Sequence, residues 1–429
     1  MIYFIITFIN IIAFYFNPIV GMLIEYSVLG YILFFSKKKI VERISECIVY
    51  SAPFYYYSFS GRVQRFSPCI MLFIILLLVL ILRLFKKNLR LSDRKLFLLF
   101  SAFIITILYS ISVYYSSDTT QIIIDSYQLI VEIWLIVIIR LLSDDEILNF
   151  NIEPLVNKYF ISTLAVSASV YIQFVLYRYL GAQVGFVFIW GQGSRVIYNS
   201  IYVAKSILSL YLSVGMIYYF IKLFDKVTIK RLFCIVFIGG AVLINNSRTG
   251  VMCFMIVALI YAFVHIRKIG RNVLLIPFAA VGIFALAYVI NTMLSTRSGL
   301  SDFSDDNGRI DLLVNASRQF KNYIITGIGG SEKDYLRLFG DPTPIHNFVI
   351  QYMLQFGMVS GLLIMIIYFV PLLRTSGIYK YLTGIIVLGG MFFANWHNAL
   401  FLFPLMILAL IKTSDEQFSK ERSVVNEEK

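Results

Sequence analysis

The sequence predicts an all-α, polytopic transmembrane helical bundle of about 12 to 14 spans, each span needing roughly 20 apolar residues. Of its 429 residues, 59% are hydrophobic and only 14% are charged, whereas a soluble chain carries roughly 45–50% and about 25%. Its mean hydropathy is +0.81. The apolar runs lack the period-two alternation of membrane β-barrel strands, so the backbone that crosses the bilayer must be helical.

The apolar runs follow one another along the chain with mostly short polar connections. The first 35 residues predict a helical hairpin that turns at Asn17-Pro18. The other predicted spans cover residues 43–59, 67–85, 97–115, 122–142, 158–180, 201–222, 232–245, 250–266, 272–290, 346–371, 379–395 and 398–412. The span at 43–59 is weakly apolar and contains Pro53.

The formal charge of +13 does not indicate a nucleic-acid-binding protein. Lysine and arginine lie mainly in the short connections, such as 36–39, where they mark the cytoplasmic side of a membrane. The sequence has no aromatic-basic module or zinc-ligand spacing, so we expect no nucleic acid partner. It has no Walker A motif, which argues against an ATP-driven transporter, and no cofactor is expected. The four cysteines lack C-x-x-C spacing and are predicted to pack as small apolar side chains.

A single membrane domain is predicted over residues 1–413, followed by a polar cytoplasmic tail at 414–429. The one long hydrophilic segment, 291–345, falls outside the cytoplasm when the spans are counted in alternation. Apolar residues at helical spacing predict an amphipathic helix in this external loop, near 309–325. The glycines of 327–330 follow it, and they allow tight turns and close approach of the backbone to a ligand.

Three arginines lie in short polar motifs on the predicted external side. Arg195 ends Gly-Gln-Gly-Ser-Arg, Arg248 lies in Asn-Ser-Arg-Thr-Gly between two short spans, and Arg309 opens the amphipathic helix. A charge near the hydrocarbon is costly unless it faces protein or water, so Arg248 is expected to have an anionic partner. The ordinary alternatives are that Arg248 snorkels to the interface and that Arg195 is a solvated loop charge.

Two of the three histidines are also predicted to be external. His346, followed by Asn347, lies where the chain re-enters the membrane, and His397 joins the last two spans. A lone histidine in a loop is structural more often than catalytic. Two histidines beside the same long loop favour a functional role.

These motifs resemble those of one bacterial family. Ser-Arg-Thr-Gly between short spans, Gly-Arg-Ile-Asp-Leu-Leu in the loop, Gly-Ile-Gly-Gly, and His-Asn-Phe-Val-Ile-Gln opening a span occur in the order seen in the O-antigen polymerase and O-antigen ligase superfamily. The resemblance covers roughly residues 190–370. It implies a GT-C-like membrane glycosyltransferase that works without a metal on sugars carried by undecaprenyl diphosphate.

Carried over residue by residue, the resemblance implies roles for four side chains. Arg195, Arg248, Arg309 and His346 match its arginine and histidine positions. Arginine offers a planar fork to the oxygens of the departing diphosphate, and a histidine near guanidinium groups would tend to be neutral and able to accept a proton. Gln355 departs from the family, which often has an acidic residue there.

Other residues complete the predicted site or compete for a role in it. Asn347 and His397 are predicted to bind substrate together with Arg195, Arg248 and Arg309. The rival candidates for the base are Asp311, Glu332, Asp334 and Asp341.

Three functions were compared. The favoured one is a polymerase in the inner membrane, with its active site facing the periplasm, that joins lipid-linked oligosaccharide repeat units. Its expected partners are the undecaprenyl-diphosphate-linked donor and acceptor, membrane lipid and a chain-length regulator protein. The alternatives are the ligase that moves chains to lipid A-core and, from another class, a flippase for the lipid-linked oligosaccharide. The cationic motifs lie in external loops and not near the bilayer midplane, which favours an enzyme over a transporter.

Overall fold

The computed structural model of the protein describes residues 1–57, 67–87, 92–143, 145–190, 195–265, 309–340, 342, 345–392 and 402–412. His397, the predicted span 272–290, the first part of the external loop and the tail 414–429 lie outside these residues. The described helices are α1 (Ile2–Phe16), α2 (Pro18–Phe35), α3 (Ile40–Ser51), α4 (Pro68–Phe85), α5 (Asp93–Tyr115), α6 (Thr119–Leu141), α7 (Glu153–Leu180), α8 (Lys205–Asp225), α9 (Ile229–Asn245), α10 (Arg248–Val264), α11 (Arg309–Gln319), α12 (Glu332–Phe339), α13 (Phe348–Phe356), α14 (Met358–Arg374), α15 (Gly377–Gly390) and α16 (Phe403–Lys412). Two strands, β1 (Val187–Trp190) and β2 (Arg195–Tyr198), form an antiparallel hairpin between α7 and α8.

The structure confirms the predicted fold class of an all-α, polytopic membrane protein. Among the described residues, six helices are long and apolar enough to cross a membrane, namely α2, α4, α5, α6, α7 and α8. Shorter apolar helices include α1, α14 and α16. Large apolar side chains point outward along these helices, for example Phe85 at 82% exposure, as expected where lipid and not water is the solvent.

The N-terminal hairpin turns where the sequence predicts. Asn17 has an extended backbone, ends α1, and accepts a hydrogen bond on its side chain from the backbone N–H of Ile19 at 2.9 Å. Pro18 occupies the first position of α2, where its missing N–H costs no hydrogen bond. The Asn-Pro pair therefore both stops one helix and starts the next.

The chain forms two compact units, which are described separately. The first comprises Met1–Ser162 with Val314–Lys429, and the second comprises Thr163–Leu313. The first unit therefore holds His346 and Asn347. Arg195, Arg248 and Arg309 belong to the second.

The predicted single span over 346–371 is wrong, because the structure divides it into α13 and α14 at Gly357. Gly357 has φ of +88°, and a Cβ there would overlap the carbonyl group of Ile325. The segment 323–329 runs against this break and supplies the hydrogen bonds that the interrupted helix lacks. These are Ile328 N to Leu354 O (2.9 Å), Gly329 N to Gln355 O (3.1 Å), Met358 N to Tyr323 O (3.3 Å) and Val359 N to Ile324 O (3.2 Å). Helical spacing continues through the break, so the pattern of apolar residues does not reveal it.

We expect Gly357→Ala to destabilise the protein by about 1–3 kcal/mol, because the new residue must adopt a strained backbone and displace the Ile325 carbonyl. The measurement is the melting temperature of the purified protein in detergent. Gly30→Ala is the matched control, since Gly30 lies inside α2 with nothing within 4 Å of its Cβ position. Equal melting temperatures for the two variants would show that the break does not depend on glycine.

Candidate functional site

In the second unit, one buried asparagine joins the β-hairpin to the end of α9. Asn245 is fully buried, and its Nδ2 donates to the carbonyl oxygen of Tyr198 at 3.0 Å and to Oδ1 of Asn199 at 2.7 Å. Arg195 precedes Tyr198 by three residues, and Arg248 follows Asn245 by three. Each arginine is thus no more than about 10 Å of chain from this link. The link brings the backbones of both arginines to one end of the unit.

The break between α9 and α10 explains most of the Asn-Ser-Arg-Thr-Gly motif. Asn246 ends α9 with a left-handed backbone (φ +57°), which asparagine tolerates better than most residues. The hydroxyl of Ser209 donates to Ser247 Oγ at 2.9 Å and accepts from the backbone N–H of Gly250 at 3.2 Å. A Cβ on Gly250 would overlap the Ser209 carbonyl group. The motif is therefore a tightly packed helix junction, and Arg248 is the first residue of α10.

The other end of the hairpin is fixed to α7. Ser200 has a left-handed backbone (φ +54°), its N–H donates to Gln173 Oε1 at 2.8 Å, and its Oγ lies 2.6 Å from Ser169 Oγ. The same Gln173 donates from Nε2 to the carbonyl oxygen of Val184 at 2.6 Å. These side chains are buried on the hairpin side of α7, so the strand that begins with Arg195 has a fixed position.

The sequence interpretation missed this hairpin and its supports. A signal was present, because Val-Phe-Ile-Trp and Arg-Val-Ile-Tyr are β-favouring runs separated by Gly-Gln-Gly-Ser. The supporting residues Gln173, Asn199 and Asn245 carry no comparable signal. Their partners are distant in sequence.

We expect Asn245→Leu to lower glycan chain formation by about tenfold or more, because it keeps the volume but leaves two buried groups unpaired, each costing about 1–3 kcal/mol. The measurement is chain formation in a strain that lacks the native gene, at matched protein level. Gln128→Leu is the control, since Gln128 is also a buried amide but lies in the first unit. Equal losses in both variants would indicate that any buried amide matters and that the link is not special.

In the first unit, His346 and Asn347 begin α13. Asn347 caps the helix, its Oδ1 accepting from the N–H groups of Val349 (3.1 Å) and Ile350 (3.2 Å). Its Nδ2 faces the carbonyl oxygen of Met391 at 3.5 Å. Asn347 thus has a structural role as a cap. His346 is half-buried and directly precedes the cap.

The structure gives Asp334, one of the rival bases, a structural role instead. Asp334 is fully buried and forms a capping box with Ser331 at the start of α12. It also accepts from Ser116 Oγ at 2.6 Å and from the N–H of Ser117 at 2.9 Å, both at the end of α5. Burial alone raises the pKa of this carboxyl, but the hydrogen bonds from Ser116, Ser117 and Ser331 outweigh it, and the pKa is below the ordinary value. A carboxylate so fully engaged is a poor proton acceptor.

We expect Asp334→Asn to loosen α12, at a cost of about 1.5–3 kcal/mol for the charge-assisted hydrogen bonds that it removes. Because the pKa is lower in the folded than in the unfolded chain, where it is about 3.9, the carboxylate stabilises the loop above that pH. This contribution is lost as the pH falls below it. Hydrogen exchange at Tyr335 measures the effect in both proteins, with the exposed Glu332→Gln as control. Unchanged protection in Asp334→Asn would contradict the assignment.

The glycines of 327–330 pack closely against other segments of the first unit. The carbonyl oxygen of Gln355 accepts hydrogen bonds from the N–H of Gly329 and from the hydroxyl of Ser112. A Cβ on Gly330 would overlap the side chain of Gln355, whose Nε2 faces the Gly330 carbonyl at 3.4 Å. Gln355, the residue that departs from the family pattern, therefore packs against this loop. The sequence predicts that these glycines allow the backbone to approach a ligand closely. At these atoms, the backbone closely contacts α13.

Comparison with known proteins bears on the same region. Residues 233–366 match a family model described as O-Antigen ligase. The matched segment contains Arg248, Arg309 and His346, whereas Arg195 precedes it. No curated protein and no solved structure matches the chain. The match to this segment, with its motifs in the family order, supports the similarity of the chain to the O-antigen ligase and polymerase superfamily.

Proposed function

We propose that the protein is an O-antigen polymerase, which joins undecaprenyl-diphosphate-linked repeat units on the periplasmic face of the inner membrane. A hydroxyl oxygen of the acceptor sugar forms a bond to the anomeric carbon of the donor sugar. The bond from that carbon to the diphosphate oxygen breaks, and the hydroxyl proton passes to a base. Glycosyl transfer from a lipid diphosphate is supported by the family match over 233–366, together with the link that brings the Arg195 and Arg248 backbones to one end of the second unit.

The arginines have the chemistry that the leaving group requires. A lipid diphosphate carries two or more negative charges as it departs, and the guanidinium group binds such oxygens in a bidentate manner without a metal. Arg248 is also the first residue of α10, and the first turn of a helix favours anions. In this proposal Arg195, Arg248 and Arg309 stabilise the developing charge, with Asn347 and His397 contributing to substrate binding.

His346 is assigned as the base that accepts the acceptor hydroxyl proton. It is half-buried directly before the cap of α13, and a neutral imidazole can accept a proton. Of its rivals, Asp334 is engaged by four donors, from Ser116, Ser117 and Ser331. The structural role of Asp334 strengthens the assignment to His346.

The second candidate is the O-antigen ligase, which transfers finished chains to lipid A-core. The description of the matching family model favours it. The two enzymes break the same bond to a lipid diphosphate and differ in the acceptor, so the same arginines would serve both.

The test is a gel of surface lipopolysaccharide from a strain lacking the gene, beside the complemented strain. A single repeat unit on the core, with the ladder lost, is expected for a polymerase. Bare core with long chains still on the carrier lipid would identify the ligase. Bare core with single lipid-linked units trapped on the cytoplasmic face would identify a flippase and overturn both candidates.

A further inference from the structure

The N-terminal hairpin carries three polar side chains in the membrane interior whose oxygens have no partner. Thr7, Asn10 and Glu25 are each 0% exposed. Within the described part of the chain, Thr7 Oγ1, Asn10 Oδ1 and both carboxylate oxygens of Glu25 make no hydrogen bond. Buried polar atoms are almost always paired, so four unpaired oxygens on one hairpin require an explanation.

The hairpin geometry places these groups at a common depth. Asn10 precedes the turn at Asn17 by seven residues and Glu25 follows it by eight, so each lies about 10–12 Å from the turn at a rise of 1.5 Å per residue. Thr7 lies one helical turn beyond Asn10 on the same buried face of α1. In a hydrocarbon layer of about 30 Å, this depth is well inside the apolar region.

No described cation neutralises Glu25, because the basic side chains nearby have other partners. On α3, Arg43 donates to the carbonyl oxygen of Leu33. Glu46, also on α3, is paired with Lys38 and Lys158.

The remaining titratable groups near Glu25 are tyrosine and cysteine side chains, which carry no positive charge. On α3, Tyr50 accepts a hydrogen bond from Asn10 Nδ2 at 3.3 Å, and Cys47 contacts the carbonyl oxygen of Leu29. Cys69 lies on α4. The charge of an ionised Glu25 would reach both Tyr50 and Cys69. None of these groups could balance that charge.

Protonation of Glu25 explains how two of the unpaired oxygens, one of its own and Asn10 Oδ1, can pair. Each is fully enclosed by protein atoms, which leaves no room for water or a metal ion beside it, whereas a proton needs none. A protonated Glu25 has one donor and one free acceptor oxygen. The donor suits Asn10 Oδ1. An isolated carboxylate in an apolar medium neutralises in this way.

We propose that Glu25 and Asn10 form a proton-binding site inside the membrane, in which Glu25 is a neutral carboxylic acid while α1 and α2 are packed against α3. The proton passes to water only when the hairpin moves enough to admit it. The site is therefore a proton acceptor whose occupancy depends on the packing of the N-terminal hairpin.

The experiment is an infrared difference spectrum of the protein in lipid bilayers at neutral pH, wild type minus Glu25→Gln. We expect the loss of one carboxylic-acid carbonyl band. The matched control is Glu46→Gln, which should lose a carboxylate band and no acid band, because Glu46 is paired with Lys38 and Lys158. A second buried acid, Glu132, accepts from Tyr368 and cancels in both differences. Loss of a carboxylate band in Glu25→Gln would overturn the proposal.

Asn10→Leu provides a second measurement in which Glu25 is retained, should Glu25→Gln not fold. Leucine matches the size of asparagine but cannot accept a hydrogen bond. We expect the acid band to remain and to move to higher wavenumber, as a carboxylic acid does when its O–H loses an acceptor. An unmoved band would show that Asn10 is not the acceptor. Acid bands in the wild type that all vanish in Glu132→Gln would show that Glu25 is ionised.

Discussion

Arg248→Lys is expected to lower the rate of glycan chain formation by about 10²–10³-fold, the usual cost of removing one donor aimed at developing charge. Lysine keeps the positive charge but loses the planar fork that binds two diphosphate oxygens together. The measurement is the transfer of sugar from a lipid-diphosphate-linked donor by the purified enzyme, with the amount of folded protein matched.

A matched variant separates a general effect of replacing arginine by lysine from a local effect at Arg248. Arg318→Lys makes the same change on the exposed surface of α11, and its rate should stay within about twofold of wild type, since exposed substitutions have little effect. If the two variants were equally active, Arg248 would not bind the diphosphate. An Arg248→Lys enzyme whose KM alone had risen would place the contact in substrate binding and not in the transition state.

The part of the site that the sequence could predict is the part encoded in contiguous motifs. Asn17-Pro18 marks a turn by its local chemistry alone. Asn-Ser-Arg-Thr-Gly likewise indicates a break between two apolar runs, and the structure has a helix junction there. In both places the residues that decide the backbone lie within a few positions of one another.

The unpredicted features depend on contacts between distant residues. The break at Gly357 is stabilised by a segment some thirty residues earlier, and the hydroxyl of Ser112 reaches the carbonyl oxygen of Gln355 across 243 positions. Asp334 looked like a candidate base because the sequence does not show that Ser116 and Ser117 surround it. Helical periodicity describes one helix at a time, so it cannot show which side chains from other elements complete a cap or a break.

The positions of Arg248 and Arg195 show the same difference between local and long-range contacts. The position of Arg248 follows from a local junction, whereas the association of the preceding helix α9 with the Arg195 strand depends on Asn245, whose partners are 46 and 47 positions away. The motif match alone would therefore leave the two arginines unrelated. Their common location is a property of the fold, and the Asn245→Leu variant tests it without changing either arginine.

His346→Ala is expected to reduce the rate by about 10²–10⁴-fold, the range for removal of a positioned general base. The pH dependence gives a second readout. The wild-type rate should fall as the pH is lowered, because a protonated imidazole cannot accept the hydroxyl proton, and the residual rate of the variant should lack this fall.

The matched control is His265→Ala, since His265 ends α10 with its Nδ1 3.0 Å from the carbonyl oxygen of Tyr261 and has no part in the proposed reaction. Near-normal chain formation by His346→Ala at normal protein level would move the role of base to Asp311, Glu332 or Asp341. Asp334 would stay excluded, because its carboxylate is already bound by the groups that anchor α12.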